Sequence, residues 1–92
     1  MDAPTLAYAR MSFSQAVYSV NEPKLGIYAI ALGRRAAEIV EANSREDSVR
    51  KLYDMFNFNV AEIAPHVNYE VLAERAVNYI QVALDESALE SV

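Results

Sequence analysis

Cysteine is missing from this 92-residue chain. That excludes disulfides, thiolate zinc sites and a cysteine nucleophile together, and it fits a reducing, cytoplasmic setting. Glycine and proline are scarce, at 2 and 3 residues. So few chain-breakers leave little room for long irregular loops or a disordered segment. The one histidine, His66, stands after Pro65 in a loop. A catalytic triad or a metal site would need a second histidine or a cysteine beside it, so His66 is read as a surface residue. No run of Lys and Arg occurs, and the net charge is −5. Nucleic-acid binders and proteins that dock on anionic membranes draw affinity from clustered cations. Neither nucleic acid nor membrane is therefore expected as a partner. The longest apolar run, residues 25–32, has eight residues with Gly26 among them, where a bilayer span needs about 20. The opening Met1-Asp2-Ala3-Pro4 has no basic stretch ahead of an apolar one, which is unlike a secretory signal. Gly-rich phosphate loops and dinucleotide fingerprints are also lacking.

What is present points to helices. Hydrophobic residues make up 53% of the chain, and many are Ala, Leu and Val set among Glu and Arg, a helix-favouring mixture. The length suits one domain, residues 1–92, that buries somewhat over ~60% of its unfolded surface around a thin core. Leu6, Ala9, Phe13, Ala16, Val17 and Val20 form one apolar stripe and predict a helix over about 5–20. Asn21-Glu22-Pro23 breaks it, and Pro23 suits the first turn of a second helix over 23–42. That helix is apolar nearly all round in its first half, as befits a central element or an exposed surface that meets a partner. Gly26, Ala29, Gly33 and Ala37 fall near one face, where their small size lets a second helix approach, most simply one from the same chain.

Ser44 with Asp47 resembles a capping box and opens a third helix over about 45–58, which buries Val49, Leu52, Tyr53 and Phe56. Its outer face offers the pairs Glu46–Arg50, Asp47–Lys51 and Arg50–Asp54 at i,i+4 spacing. Asn59 with Glu62 suits a short helical turn before Pro65, and Asn68 suits the cap of a last helix over about 69–84. The acidic stretch 85–92 is expected to fray, because carboxylates at a helix C-terminus oppose the macrodipole. The fold class is thus all-α: a compact, single-domain bundle of four to five helices.

No arrangement of residues points to catalysis. Carboxylates are scattered, and each has a role as a cap or a solvated residue. An all-oxygen magnesium site on facing helices is the only metal option; no metal and no cofactor is expected. Leu72-Ala73-Glu74-Arg75 resembles the Leu-Ala-x-Arg stretch of small helical chorismate mutases, which clamp a dicarboxylate with several cations, but the rest of that pattern is missing. The chain is read as non-catalytic, with a small helical enzyme as the remote alternative. Arg34 and Arg35 are adjacent cations, directly after the most apolar segment. They read either as an exposed turn neutralised by Glu38 and Glu41 or as an anchor for a partner, since Arg combines stacking with bidentate hydrogen bonds. Six tyrosines are too many for so thin a core, and some should line a contact surface or an oligomer seam.

The segment 22–39, above all Arg34-Arg35-Ala36-Ala37-Glu38-Ile39, resembles the omega subunit family of RNA polymerases. That family has an apolar helix ending in a cation, then Arg-Ala, then Ile or Leu three positions later. There the helix docks on the largest catalytic subunit and assists its assembly. The resemblance implies that Arg35 contacts a partner and that Tyr28, Leu32 and Ile39 pack. A second likeness, to small acidic flagellin export chaperones, rests on Pro23-Lys24-Leu25 and Leu52-Tyr53. The expected function is a cytoplasmic protein-binding accessory subunit or adaptor, omega-like in its named form. Its partner surface is Tyr28, Leu32, Arg34, Arg35 and Ile39. The alternatives are a self-associating structural or phage-encoded bundle and an export chaperone.

Overall fold

The computed structural model describes residues 1–90. Helix α1 spans Ala3–Tyr18, α2 Gly26–Ala31, α3 Gly33–Ala42, α4 Arg45–Asn59 and α5 Tyr69–Glu90, with a 3₁₀ turn at Pro23–Leu25 ahead of α2. No strand occurs among the described residues. The all-α bundle expected from the periodicity is what forms.

Asp2 starts α1: its Oδ1 accepts the Thr5 N–H at 2.8 Å, and Pro4 sits in the first turn, where a missing N–H costs nothing. The helix therefore begins before residue 5. It ends at Tyr18 because Asn21 takes a left-handed conformation, φ 53°, which asparagine tolerates better than most residues. Ser44 caps α4 by accepting the Asp47 N–H at 3.2 Å, and Asn68 caps α5 by accepting the Val71 N–H at 3.2 Å. At 22 residues α5 is about 33 Å long, the only helix able to run most of the 43 Å length of the molecule.

The segment 23–42 is not one helix. Leu32 N–H still bonds Tyr28 O at 2.9 Å, and the ladder resumes with Ala36 N–H to Leu32 O at 2.9 Å; between them the axis breaks at Leu32. Two causes meet there. Gly33 is a weak helix former, and its missing side chain lets α1 come so close that a Cβ would stand 3.4 Å from Arg10 Cγ. Ser14 Oγ also lies 3.5 Å from the Ala29 carbonyl, so a hydroxyl from α1 competes for the carbonyl that an unbroken helix would satisfy internally. The small-residue face is thus filled from within the chain, by α1.

Other details differ from expectation. Asn59 starts no new turn; it ends α4, donating its Nδ2 to Met55 O at 2.7 Å, and residues 60–64 form turns bonded to Val60 O. Arg50 pairs with Asp47 at 3.1 Å, i,i+3, while Lys51 reaches Asn43 Oδ1 at 2.7 Å, so the ladder of i,i+4 pairs is not made. The segment 85–90 is part of α5. It stays helical, with Tyr8 donating to Glu86 from α1 and Gln81 bonded to Asp85 at 3.0 Å. Residues 91–92 of the expected frayed tail lie outside the described residues.

The core is a ring stack inside an alanine cage. Phe13 of α1 and Phe56 of α4 stack with centroids 5.8 Å apart, and Tyr69 of α5 follows at 6.0 Å from Phe56. Ala9, Ala16, Ala36, Ala37, Ala73 and Ala76 are fully buried around them. Helix α1 lies between α5 and the α2–α3 rod, and α4 lies between α5 and α3. Helices α1 and α4 are therefore diagonal, and the Phe13–Phe56 stack bridges them at the centre.

Candidate functional site

Tyr28, Leu32, Arg35 and Ile39 are spaced 4, 3 and 4 apart, which sets them along one side of the α2–α3 rod. The structure divides the predicted residues by role. Tyr28, Leu32 and Ile39 are half-buried and pack their inner atoms against the core. Arg34 and Arg35 are exposed, and Arg34, about 100° further round the helix, faces away from that stripe.

Two of the five residues enter a concave site. Arg35 and Ile39 of α3 form one wall of a groove of about 470 Å³. Lys51, Asp54, Met55, Phe58 and Asn59 of α4 form the other. Met55 is its buried floor, while Phe58 is 91% exposed. Tyr28, Leu32 and Arg34 lie outside this groove. Phe58 is not among the residues expected from the sequence; the available signal is that it falls off the stripe of Val49, Leu52, Tyr53 and Phe56.

Ion pairs among the described residues join the N-terminal amine to Glu41, Arg50 to Asp47 and His66 to Glu22. Neither Arg34 nor Arg35 takes part in one, so the expected neutralisation by Glu38 and Glu41 does not occur. Glu41 instead lies 3.8 Å from the Met1 amine. In a protein of net charge −5, the groove lining holds two cations, Arg35 and Lys51, and one carboxylate, Asp54, which shares the α4 wall with Lys51.

His66 is exposed, as its loop position implies, yet its Nε2 is 3.0 Å from Oε2 of the nearly buried Glu22. The same carboxylate accepts the Lys24 N–H at 3.3 Å. Glu22 thereby ties the loop before α5 to the α1–α2 corner, 44 residues away in the chain. No group of three or more His, Asp or Glu side chains suited to a metal ion occurs among the described residues, and no helix among them is long and apolar enough to cross a membrane.

Apolar exposure is concentrated elsewhere. Ile27 and Ile30 of α2 are 71% and 65% exposed, and Met11 and Tyr18 of α1 are exposed beside them. The apolar half of the 23–42 segment is therefore a surface element. Of the tyrosines, Tyr69 alone is buried; Tyr18 and Tyr79 are exposed and the other three half-buried, as expected of so thin a core. Compared with family models, curated proteins and solved structures, the chain matches none.

Proposed function

We propose that this chain is a non-catalytic protein-binding module, an accessory subunit or adaptor, whose docking site is the α3–α4 groove. The observation that carries the reading is Phe58, a large aromatic 91% exposed at the lip of a groove whose opposite wall holds the unpaired Arg35. Aromatic side chains, methionine and arginine are enriched in protein interfaces, and Phe58, Met55 and Arg35 all line this groove. A groove between two helices suits an amphipathic helix, with apolar residues on Ile39, Met55 and Phe58 and a carboxylate toward Arg35 and Lys51. The likeness of residues 34–39 to the omega family supports one specific form, in which the partner is the largest subunit of an RNA polymerase and Arg35 is a contact. The other predicted residues enter this reading differently: Tyr28 and Leu32 support the α2–α3 rod from within.

The test compares three baits in capture from host lysate: the wild-type chain, Arg35→Glu and Phe58→Asp. Circular dichroism checks that both variants keep the wild-type helicity. The reading expects one stoichiometric protein partner held by the wild type and lost by both variants. Polymerase large subunits in that position support the omega-like form. Retention of the same partner by both variants refutes the groove as the site.

A further inference from the structure

Charge is segregated along this chain. Residues 3–37 carry four cationic side chains and one carboxylate, whereas residues 38–90 carry eleven carboxylates and four cations. The lone carboxylate of the first part, Glu22, is only 12% exposed and faces His66, so it contributes little to the outer surface.

The fold turns that segregation into two opposed faces. Tyr18 meets Gly26, Ser14 meets Ala29 and Arg10 meets Gly33, so α1 and α2 run antiparallel side by side. Their joint outer face displays Met11, Tyr18, Ile27 and Ile30, edged by the exposed Arg10, Lys24 and Arg34. Across the bundle, at the edge between α4 and α5, lies a groove of about 360 Å³ with Val49, Tyr53 and Val71 on its apolar surface and Glu46, Glu70 and Glu74 around it. Its one cation, Arg50, is held by Asp47. Because α1 and α4 are diagonal, the α1–α2 edge and the α4–α5 edge lie on opposite sides of the molecule.

We propose that these faces are the two halves of a heterologous self-association site: the cationic α1–α2 face of one copy docks Ile27 and Ile30 into the acidic α4–α5 groove of the next. Charge decides the occupant and the symmetry. Joining two α1–α2 faces about a two-fold axis would bring six arginine and lysine side chains together with no exposed carboxylate, a like-charge contact that opposes association. Head-to-tail docking instead sets Arg10, Lys24 and Arg34 against Glu46, Glu70 and Glu74, while the isoleucines leave water. A heterologous contact between opposite edges repeats from copy to copy, giving an open row or a ring rather than a closed dimer. The α3–α4 groove is not used, so this inference stands apart from the docking reading above.

The experiment uses the full chain and two double variants at exposed positions. Ile27→Asp/Ile30→Asp disables the α1–α2 face, and Glu70→Lys/Glu74→Lys disables the α4–α5 groove. Sedimentation velocity of the wild type should show species larger than a dimer that grow with concentration and dissolve as salt screens the charges. Each double variant alone should be a monomer with wild-type helicity by circular dichroism. Mixed in equal amounts, the two should form a one-to-one dimer, because each supplies the face the other lacks. A wild type that is monomeric at every concentration overturns the proposal, as does a mixture that stays monomeric. A monomer that binds phosphatidylserine vesicles through the α1–α2 face overturns it in favour of a membrane surface.

Discussion

Removing a single oxygen, by Tyr69→Phe, tests how α5 is anchored. Tyr69 is buried, stacks on Phe56 and donates its hydroxyl proton to the Ala64 carbonyl at 2.6 Å, with Val60 O at 3.3 Å as a second, longer acceptor. The Phe variant keeps the ring, the stack and the buried apolar area. It loses one hydrogen bond and leaves the buried Ala64 carbonyl with only the Val67 N–H at 3.4 Å. A lost neutral bond plus a poorly satisfied buried acceptor costs about 1.5 kcal/mol, or roughly 6–12 °C in melting temperature for a domain of this size. Thermal melts by circular dichroism at neutral pH read this directly. Alkali supplies the control. Burial, and secondarily the negative charge of Glu22, push the Tyr69 phenol above its ordinary value of 10.0. A pKa raised in the folded state means that the stability from the neutral phenol is fully present below pH 10 and lost as pH rises through the folded value. The gap between wild type and variant should narrow above pH 10, the remaining tyrosines being common to both. Equal melting at pH 7, or a gap that does not change in alkali, would refute the anchoring role.

Two further perturbations probe the N-terminal half. Gly33→Ala should stabilise the fold by about 0.5–1 kcal/mol in urea titrations, because alanine favours helix and restricts the unfolded chain, while its Cβ would meet Arg10 Cγ, Cβ and backbone Cα at 3.4, 3.5 and 3.7 Å, all at ordinary contact distance; a loss of stability would show that α1 cannot give way there. The Asp2 carboxyl is held below its ordinary 3.8 by hydrogen bonds from Thr5, the side chain first and the backbone N–H second. Its stabilisation is therefore present above about pH 4 and lost as pH falls through the lowered folded value. Asp2→Ala should melt lower than wild type at pH 7, and that difference should shrink in acid; a difference that persists unchanged at pH 2 would exclude the ionised cap as its source.

What could be read in the sequence was whatever depends on residues close together in the chain. The stripe from Tyr69 to Leu84, the Asn68 cap and the Ser44 cap need only local spacing and local hydrogen bonds, and all three form. The start of α1 was equally local: Asp2 followed by Pro4 carries the signal of a capped first turn. The break at Leu32 was not local. Two glycines in an apolar run still permit one continuous helix, and it is the approach of Arg10 and Ser14 from α1 that decides otherwise. The same holds for Glu22 with His66 and for Tyr8 with Glu86, pairs 44 and 78 residues apart. Arg35 and Ile39 were identifiable from their own segment as surface and stripe, but the wall they face belongs to α4. Pairing of helices across the bundle also set the positions of the two charged faces, which residue spacing alone does not show.

The alanine cage has a consequence for how this fold can vary. Ala9, Ala16, Ala36, Ala37, Ala73 and Ala76 have no exposed surface. At such positions, glycine costs about 1 kcal/mol in helix propensity, and added methyl groups cost about 1–3 kcal/mol in strain. Divergence at the seams is therefore confined from both sides, and drift must collect on the outer faces of the helices. Two descendants of one ancestral chain would share a pattern of small residues at helical spacing while differing in charge, in exposed aromatics and in the partners those select.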